Sequence, residues 1–331
     1  MKEKVDFAMT RHSGILVMGL ILMCLAFNSA GAIEKSEVLI LHFGSGAREL
    51  GLFPPGEKTG GYMGPTSFAM DALNNIYVLD AAHYSVKVFS LDGILKQVIE
   101  YPPFTADGTP VLCVDLAVSP EGGIFVANQT ENIIWKFSPA GKLTSTFGLK
   151  DDGSSYFDFL IKVDIDARGA IYAADRKAMK VFRLKPDGQK DKALPFNSCS
   201  VTYPDGSLVM LDAREETKTL AVKRLSPDIS DIKHVGKLTL PKTVLDTYPI
   251  GVDAENNLYV FVSLGVMYGA GWKKAEAMYV LIVNTGGKLV KKIRVPEFSV
   301  FPLNRFFAVT GDGRLLRVET DEERFMIVEY R

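Results

Sequence analysis

The chain has 331 residues but few with nitrogen or sulfur metal-ligand chemistry, four histidines and three cysteines, and only two tryptophans. Three cysteines cannot build a disulfide framework, so the core has to be held by packing. A zinc centre needs several imidazoles converging on one ion, and nothing in the spacing of the histidines suggests that they meet. There is no Cys-x-x-Cys-His haem motif, no phosphate-cradling glycine loop and no nucleophile elbow. Excess charge of either sign is also missing, with Lys plus Arg at 38 against 39 for Asp plus Glu. That balance points to neither a nucleic-acid surface nor an acidic disordered tail.

The apolar run at residues 15–27 spans 13 residues, short of the roughly 20 that cross a bilayer as a helix. It reads instead as the core of an export leader. Lys2, Lys4 and Arg11 precede it, and Ala30 and Ala32 follow in the small-x-small arrangement of a signal peptidase site. Residues 1–32 are therefore expected to be a signal peptide, with an uncleaved anchor as the alternative. Glu3 and Asp6 are unusual in such a leader, and initiation at Met9 would give a tidier one. The mature chain is expected in the periplasm or outside the cell. It would keep 35 bases and 37 acids, a net charge of −2, and only Cys113 and Cys199. These two lie in different repeats and are expected as separate buried thiols, with a disulfide between them as the alternative.

What the chain does have is a repeat. Its clearest copy reads Ala69-Met-Asp-Ala-Leu-Asn-Asn-Ile-Tyr-Val-Leu-Asp80, then Val86-Lys-Val-Phe89, then Leu91-Asp-Gly93. The second copy follows 48 residues later, with Phe137 for Phe89 and Gly141 for Gly93. Six copies register on Asp71, Ser119, Asp166, Tyr203, Asp253 and Thr310, at spacings of 48, 47, 37, 50 and 57. A period of this length means stacked copies of one supersecondary unit. Turn pieces such as Asn74-Asn75, Gly122-Gly123 and Asp312-Gly313 separate short runs rich in Val, Ile, Tyr and Phe. This predicts antiparallel hairpins. Runs apolar at consecutive positions, as in Ile76-Tyr-Val-Leu79, fit strands buried on both faces, as in radially stacked sheets. Copy six offers only three strands, near 306–309, 315–319 and 325–330. The missing fourth is available at residues 37–43, and pairing the two would shut the ring. The expected fold is all-β: six four-stranded antiparallel blades over residues 33–331, closed by the N-terminal strand.

The phrase Asp-x-x-Gly-x-Ile-Tyr-Val-x-Asp, followed by a Val-x-Val-Phe strand and an Asp-Gly turn, resembles the NHL repeat family of six-bladed β-propellers. The resemblance covers nearly all of residues 36–331 and is closest in copies one to three. Copy five lacks the Asp that ends the second strand, where Phe261 or Val262 falls instead. The resemblance implies the fold more than the function. Family members serve as protein or RNA interaction platforms, and some in the broader propeller group are metal-dependent lyases or hydrolases. Export and a neutral charge balance argue against an RNA partner.

In such a ring the first strands line a central channel. The loops joining second to third strands share a face with the blade-to-blade connections, and binding residues concentrate on loops of this kind. Departures from the minimal repeat at 44–65, 101–104, 151–157 and 263–276 fall on that face. In the last of these, Gly265, Gly269 and Gly271 predict mobility, while Met267, Tyr268 and Trp272 offer adhesive surface. The candidate binding residues are Tyr62, His83, Tyr84, Tyr268 and Trp272; the competing reading is that they cap the channel or pack over neighbouring blades. Asp115 and Asp164, on first strands, could hold calcium or magnesium through oxygen ligands. The competing reading is that they bond backbone amides or face channel water, and neither belongs to a recognisable ligand spacing. His42, His83 and His234 come from unrelated elements. Lys291, Lys292 and Arg294 are placed on an outer strand, where such charges guard exposed edges. The leading expectation is an exported, non-catalytic propeller without a cofactor, binding a protein, peptide or glycan. The alternative is a calcium- or magnesium-dependent lactonase or lyase. No nucleic acid and no membrane span after cleavage are expected, and the sequence does not set the oligomeric state.

Overall fold

Each repeat is organised by its inner hairpin. The registering residue donates its backbone N–H to the carbonyl four residues on, and its own carbonyl accepts from the N–H three residues on. This pair of bonds recurs at Asp71, Ser119, Asp166, Tyr203, Asp253 and Thr310. The residue three positions on has φ between +61° and +82° in every copy: Asn74, Gly122, Gly169, Gly206, Asn256 and Gly313. Only Gly, and to a lesser degree Asn, enters that region cheaply. Where the registering residue is Asp, its carboxylate adds a second layer. Asp71 accepts from the amides of Leu73 and Asn75 and from the Tyr77 hydroxyl at 3.1 Å. Asp166 does the same with Arg168, Ala170 and Tyr172, and Asp253 with Glu255, Asn257 and Tyr259. The Asp and Tyr of the repeated phrase are thus parts of a turn. Burial, and then the neighbouring Asp253, push the Tyr259 hydroxyl up to about 12.

The computed structural model describes residues 34–52, 64–196, 198–214, 218–268, 273–297 and 303–331. The expected leader, Tyr62 and Trp272 lie outside them. Lys35–Arg331 form one compact unit. The first strand, β1 (Lys35–His42), belongs to none of the five sheets that follow it in the chain. Blade one is β2 (Pro65–Met70), β3 (Ile76–Asp80), β4 (Ser85–Phe89) and β5 (Leu95–Glu100). Blade two is β6 (Cys113–Val118), β7 (Ile124–Asn128), β8 (Ile133–Phe137) and β9 (Leu143–Phe147). Blade three is β10 (Leu160–Ile165), β11 (Ile171–Asp175), β12 (Lys180–Leu184) and β13 (Lys190–Pro195). Blade four is β14 (Ser198–Thr202), β15 (Leu208–Arg214), β16 (Thr219–Leu225) and β17 (Ile232–Thr239). Blade five is β18 (Thr243–Val252), β19 (Leu258–Met267), β20 (Lys273–Val283) and β21 (Leu289–Val295). Blade six combines β22 (Phe307–Val309), β23 (Leu315–Thr320) and β24 (Arg324–Tyr330) with β1.

The first strands touch in sequence, β2 to β6, β10, β14, β18, β22 and back to β2, so the ring is closed. One buried hydrophobic cluster fills each of the six blade interfaces. The second strands β3, β7 and β11 are buried at every position. That explains why their sequences do not alternate. The ring is latched by β1, which runs antiparallel to β24 from Lys35 opposite Tyr330 to His42 opposite Arg324. Lys35 Nζ adds an ion pair to Glu319 of β23 at 2.5 Å.

One sequence expectation fails. Residues 263–267 and 273–276 do not form a mobile interruption; β19 and β20 pair through them out to Met267 opposite Lys273, and Gly269 and Gly271 lie outside the described residues. Gly265 sits at a bulge, where an added Cβ would come within 2.0 Å of the Lys274 carbonyl oxygen. It is there for close backbone approach, not for flexibility.

Asp166→Ala, which removes two amide bonds and one hydroxyl bond, is expected to destabilise the chain by about 1–3 kcal/mol in urea unfolding. A cycle with Tyr172→Phe should show coupling of about 1 kcal/mol; strict additivity would contradict the turn assignment. The latch has a pH signature. Burial alone would raise the Glu319 carboxyl, but hydrogen bonds from Lys35 and Tyr330 outweigh it and hold it below the usual 4.5. A depressed carboxyl stabilises the fold above its unfolded value and loses that stabilisation as pH falls through the folded one. Wild-type stability should therefore drop as pH falls below about 4.5, by more than in Glu319→Gln.

Candidate functional site

The two carboxylates singled out on the first strands do meet, but around a guanidinium. Arg305, just before β22, reaches across the ring to blades two and three. Its Nη2 lies 3.0 Å from Asp115 Oδ2 and 2.8 Å from Asp164 Oδ1. Nη2 also donates to the Val163 carbonyl, and Nε reaches Asp115 Oδ1 at 3.4 Å. Asp115 further accepts from Ser67 Oγ at 2.5 Å and from the Val163 amide at 3.0 Å. Lys162 pairs with Asp164 at 3.0 Å. Asn304 extends the network by donating to the Val114 carbonyl and to the Thr66 carbonyl. Desolvation opposes the charge on Arg305, but Asp115 and Asp164 more than offset it and push its pKa further up. A divalent cation at Asp115 and Asp164 would have to displace this guanidinium. Among the described residues no three His, Cys, Asp or Glu side chains converge as a metal-ligand set.

The second cluster lies where β3 meets β4. Asp80, fully buried at the end of β3, accepts from the Gly51 amide and from His83, and pairs with the buried Lys87 at 3.0 Å. Lys87 also donates to the Glu49 carbonyl. His83, in a single 3-10 turn at Ala81–His83, has Nδ1 2.9 Å from Asp80 Oδ2 and keeps a partly exposed ring. Tyr84 is the left-handed cap of that turn and packs edge-on against Tyr101 at 6.3 Å. These residues tie the turn to the connection entering blade one. Asp175 does the equivalent in blade three, accepting from the amides of Asp158 and Phe159. Copy five, which lacks this Asp, carries the long β19–β20 hairpin in its place. Cys113 is a free, buried thiol, and burial pushes its pKa up. His42 and His234 are exposed on the outer strands β1 and β17.

The connection face gathers exposed apolar side chains. Phe104, Leu149 and Phe159 lie on blade-to-blade connections, Met179 on the β11–β12 loop, and Val266, Met267 and Tyr268 at the tip of the β19–β20 hairpin. These are seven of the fifteen large hydrophobic residues exposed among the described residues; the turns and adjoining strand ends of the opposite face hold five, Leu73, Ile94, Leu143, Ile232 and Leu289, none of them aromatic or methionine. Of the five sequence-predicted binding residues, Tyr268 is in this apolar set, His83 and Tyr84 lie on the β3–β4 turn of the same face, and Tyr62 and Trp272 lie outside the described residues. Sequence reasoning missed Arg305 and Lys87. A signal for Arg305 existed: counted back from the registering residue, it occupies the position held by Thr66, Val114 and Ile161 in other copies.

No family model matches the chain, and no curated protein matches it. Among solved structures it is similar to a member of the DUF4221 family from Bacteroides vulgatus, at 12% identity over 90% of this chain and 98% of that one, TM-score 0.51. It is also similar to virginiamycin B lyase from Staphylococcus aureus, at 10% identity over 90% and 98%, TM-score 0.49. A putative gluconolactonase matches at 15% identity over 91% and 93%, TM-score 0.49. At 12% identity the first of these likenesses speaks for the fold alone, and the other two carry no argument.

The Arg305 site makes a stability prediction. Arg305→Met should remove the cation facing the buried Asp115 and one of the two facing Asp164, and cost about 3–5 kcal/mol in urea unfolding. Adding Asp115→Asn and Asp164→Asn to that variant should recover most of the loss. A single Arg305→Met change without effect would show that the network does not contribute to stability.

Proposed function

We propose that this chain is an exported, non-catalytic propeller of the NHL type that uses its connection face to bind a protein, peptide or glycan partner. The observation that carries this reading is that all five large aromatic and methionine side chains exposed among the described residues lie on one face of the ring. Loops carried on a rigid scaffold are where binding residues concentrate. The aromatic and methionine content of the set, with Phe104, Phe159, Met179, Met267 and Tyr268, suits partner contact more than solvent. Export is supported by the basic and apolar pattern of residues 1–32, and the processed chain would be periplasmic or secreted. No helix among the described residues is long and apolar enough to cross a membrane. The neutral charge balance favours a partner other than nucleic acid.

The metal-dependent lactonase or lyase reading finds less support. Asp115 and Asp164, the carboxylates it would use, already neutralise Arg305 and Lys162. The ring as it stands offers a compensated cluster rather than an anionic cradle.

Crosslinking the tagged mature chain in an envelope extract tests the binding face. A paired variant, Met267→Asp with Tyr268→Asp, is expected to lose the captured species, as is Phe104→Asp with Phe159→Asp. Val290→Asp, on the outer strand β21, should retain it. Equal loss in all three would refute the assignment of the face. Robust calcium- or magnesium-dependent turnover of lactone or lyase substrates by the purified chain would refute the non-catalytic reading.

A further inference from the structure

On the turn side of the Arg305 network lies a half-open cavity of about 140 Å³. Its wall includes Met70, Val118, Ile165 and Val309, the last residues of β2, β6, β10 and β22, with Ile250 of β18. Asp164 and Arg305 form its polar end. A guanidinium carries five N–H donors. Those on Nε and Nη2 are spent on Asp115, Asp164 and the Val163 carbonyl, whereas Nη1 makes none of these bonds. The charges around it are balanced, with Arg305 and Lys162 against Asp115 and Asp164.

We propose that this cavity binds a small neutral carbonyl compound, an amide or ketone, whose oxygen accepts from Arg305 Nη1 while its aliphatic body lies against the apolar wall. A cavity of about 150 Å³ takes a molecule of benzene's size, so the ligand has about six heavy atoms. Charge decides the head group. A carboxylate would add an uncompensated negative charge beside Asp164 in a half-desolvated site. An ammonium would meet Arg305 and Lys162, and Nη1 has nothing to accept with. A neutral carbonyl uses the unspent donors and leaves the balance intact. The site is independent of the proposed partner face, because its wall is built from the turn-side ends of the first strands.

Butyramide and butyrate, equal in heavy atoms and different in charge, separate these cases. With methionine methyls labelled with carbon-13, titration of the purified chain with butyramide should shift the Met70 resonance saturably, in the millimolar range. Butyrate should bind at least about tenfold more weakly. Ala308→Leu fills the cavity and leaves Arg305 in place; it should abolish the shift. Arg305→Lys keeps the charge but removes the planar donor fork, and should weaken butyramide by about tenfold. The proposal is overturned if butyramide gives no saturable Met70 shift, if butyrate binds as well as butyramide, or if Ala308→Leu binds unchanged.

Discussion

Everything in this ring depends on where each inner hairpin turns. A β-strand that slips by one residue turns its whole buried face outward. Here the slip is prevented at the first turn of every blade by one residue forced to positive φ and two backbone bonds around it. In blades one, three and five an aspartate locks the same turn again and holds the following strand through a tyrosine. With the inner register set, the second strands are buried on both sides, and their side chains fill the two adjoining interfaces. Six hydrophobic clusters, one per interface, then follow from one local device repeated six times.

The polar residues in the middle of the ring follow a different logic. Channel-lining positions in most copies are small or apolar, such as Ala69, Ala117 and Ala308. Two acids and two bases break that pattern, and they come from three different blades. Burial makes each of them costly alone and tolerable together. The result is a cross-brace through the axis from Arg305 to blades two and three, where a simple repeat would leave an open bore. The connection face carries the opposite arrangement, with polar anchors such as Asp80 and Lys87 buried and apolar tips exposed.

Much of this was legible in the chain because the signals were local. Asn-Asn, Gly-Gly and Asp-Gly pieces gave the turns, and the period gave the blade count. The incomplete sixth copy pointed to the strand observed at Lys35–His42. What was not legible depended on distance. Arg305 lies 190 positions from Asp115, and nothing near Asp115 announces a cation. The acids were therefore readable as metal ligands or as amide acceptors, and the amide contact to Val163 is one part of what they do. Gly265 misled for another reason. Glycine is required both where a chain flexes and where two backbones crowd, and only the partner strand tells the two apart. His83 could be placed on a loop, but its anchor on Asp80 required the 3-10 turn.

Blade six has an implication for the order of events during synthesis. Its outermost strand, β1, is among the first parts of the propeller to be made, and its partner β24 among the last. For most of that interval β1 has no sheet to join and the ring has an open seam. The long-range pairing makes closure a late step, slow by topology rather than by any lack of stability. Any factor that reads an extended segment near the N-terminus, whether an export machine or a chaperone, would meet β1 in that unpaired state. The finished ring would withdraw it.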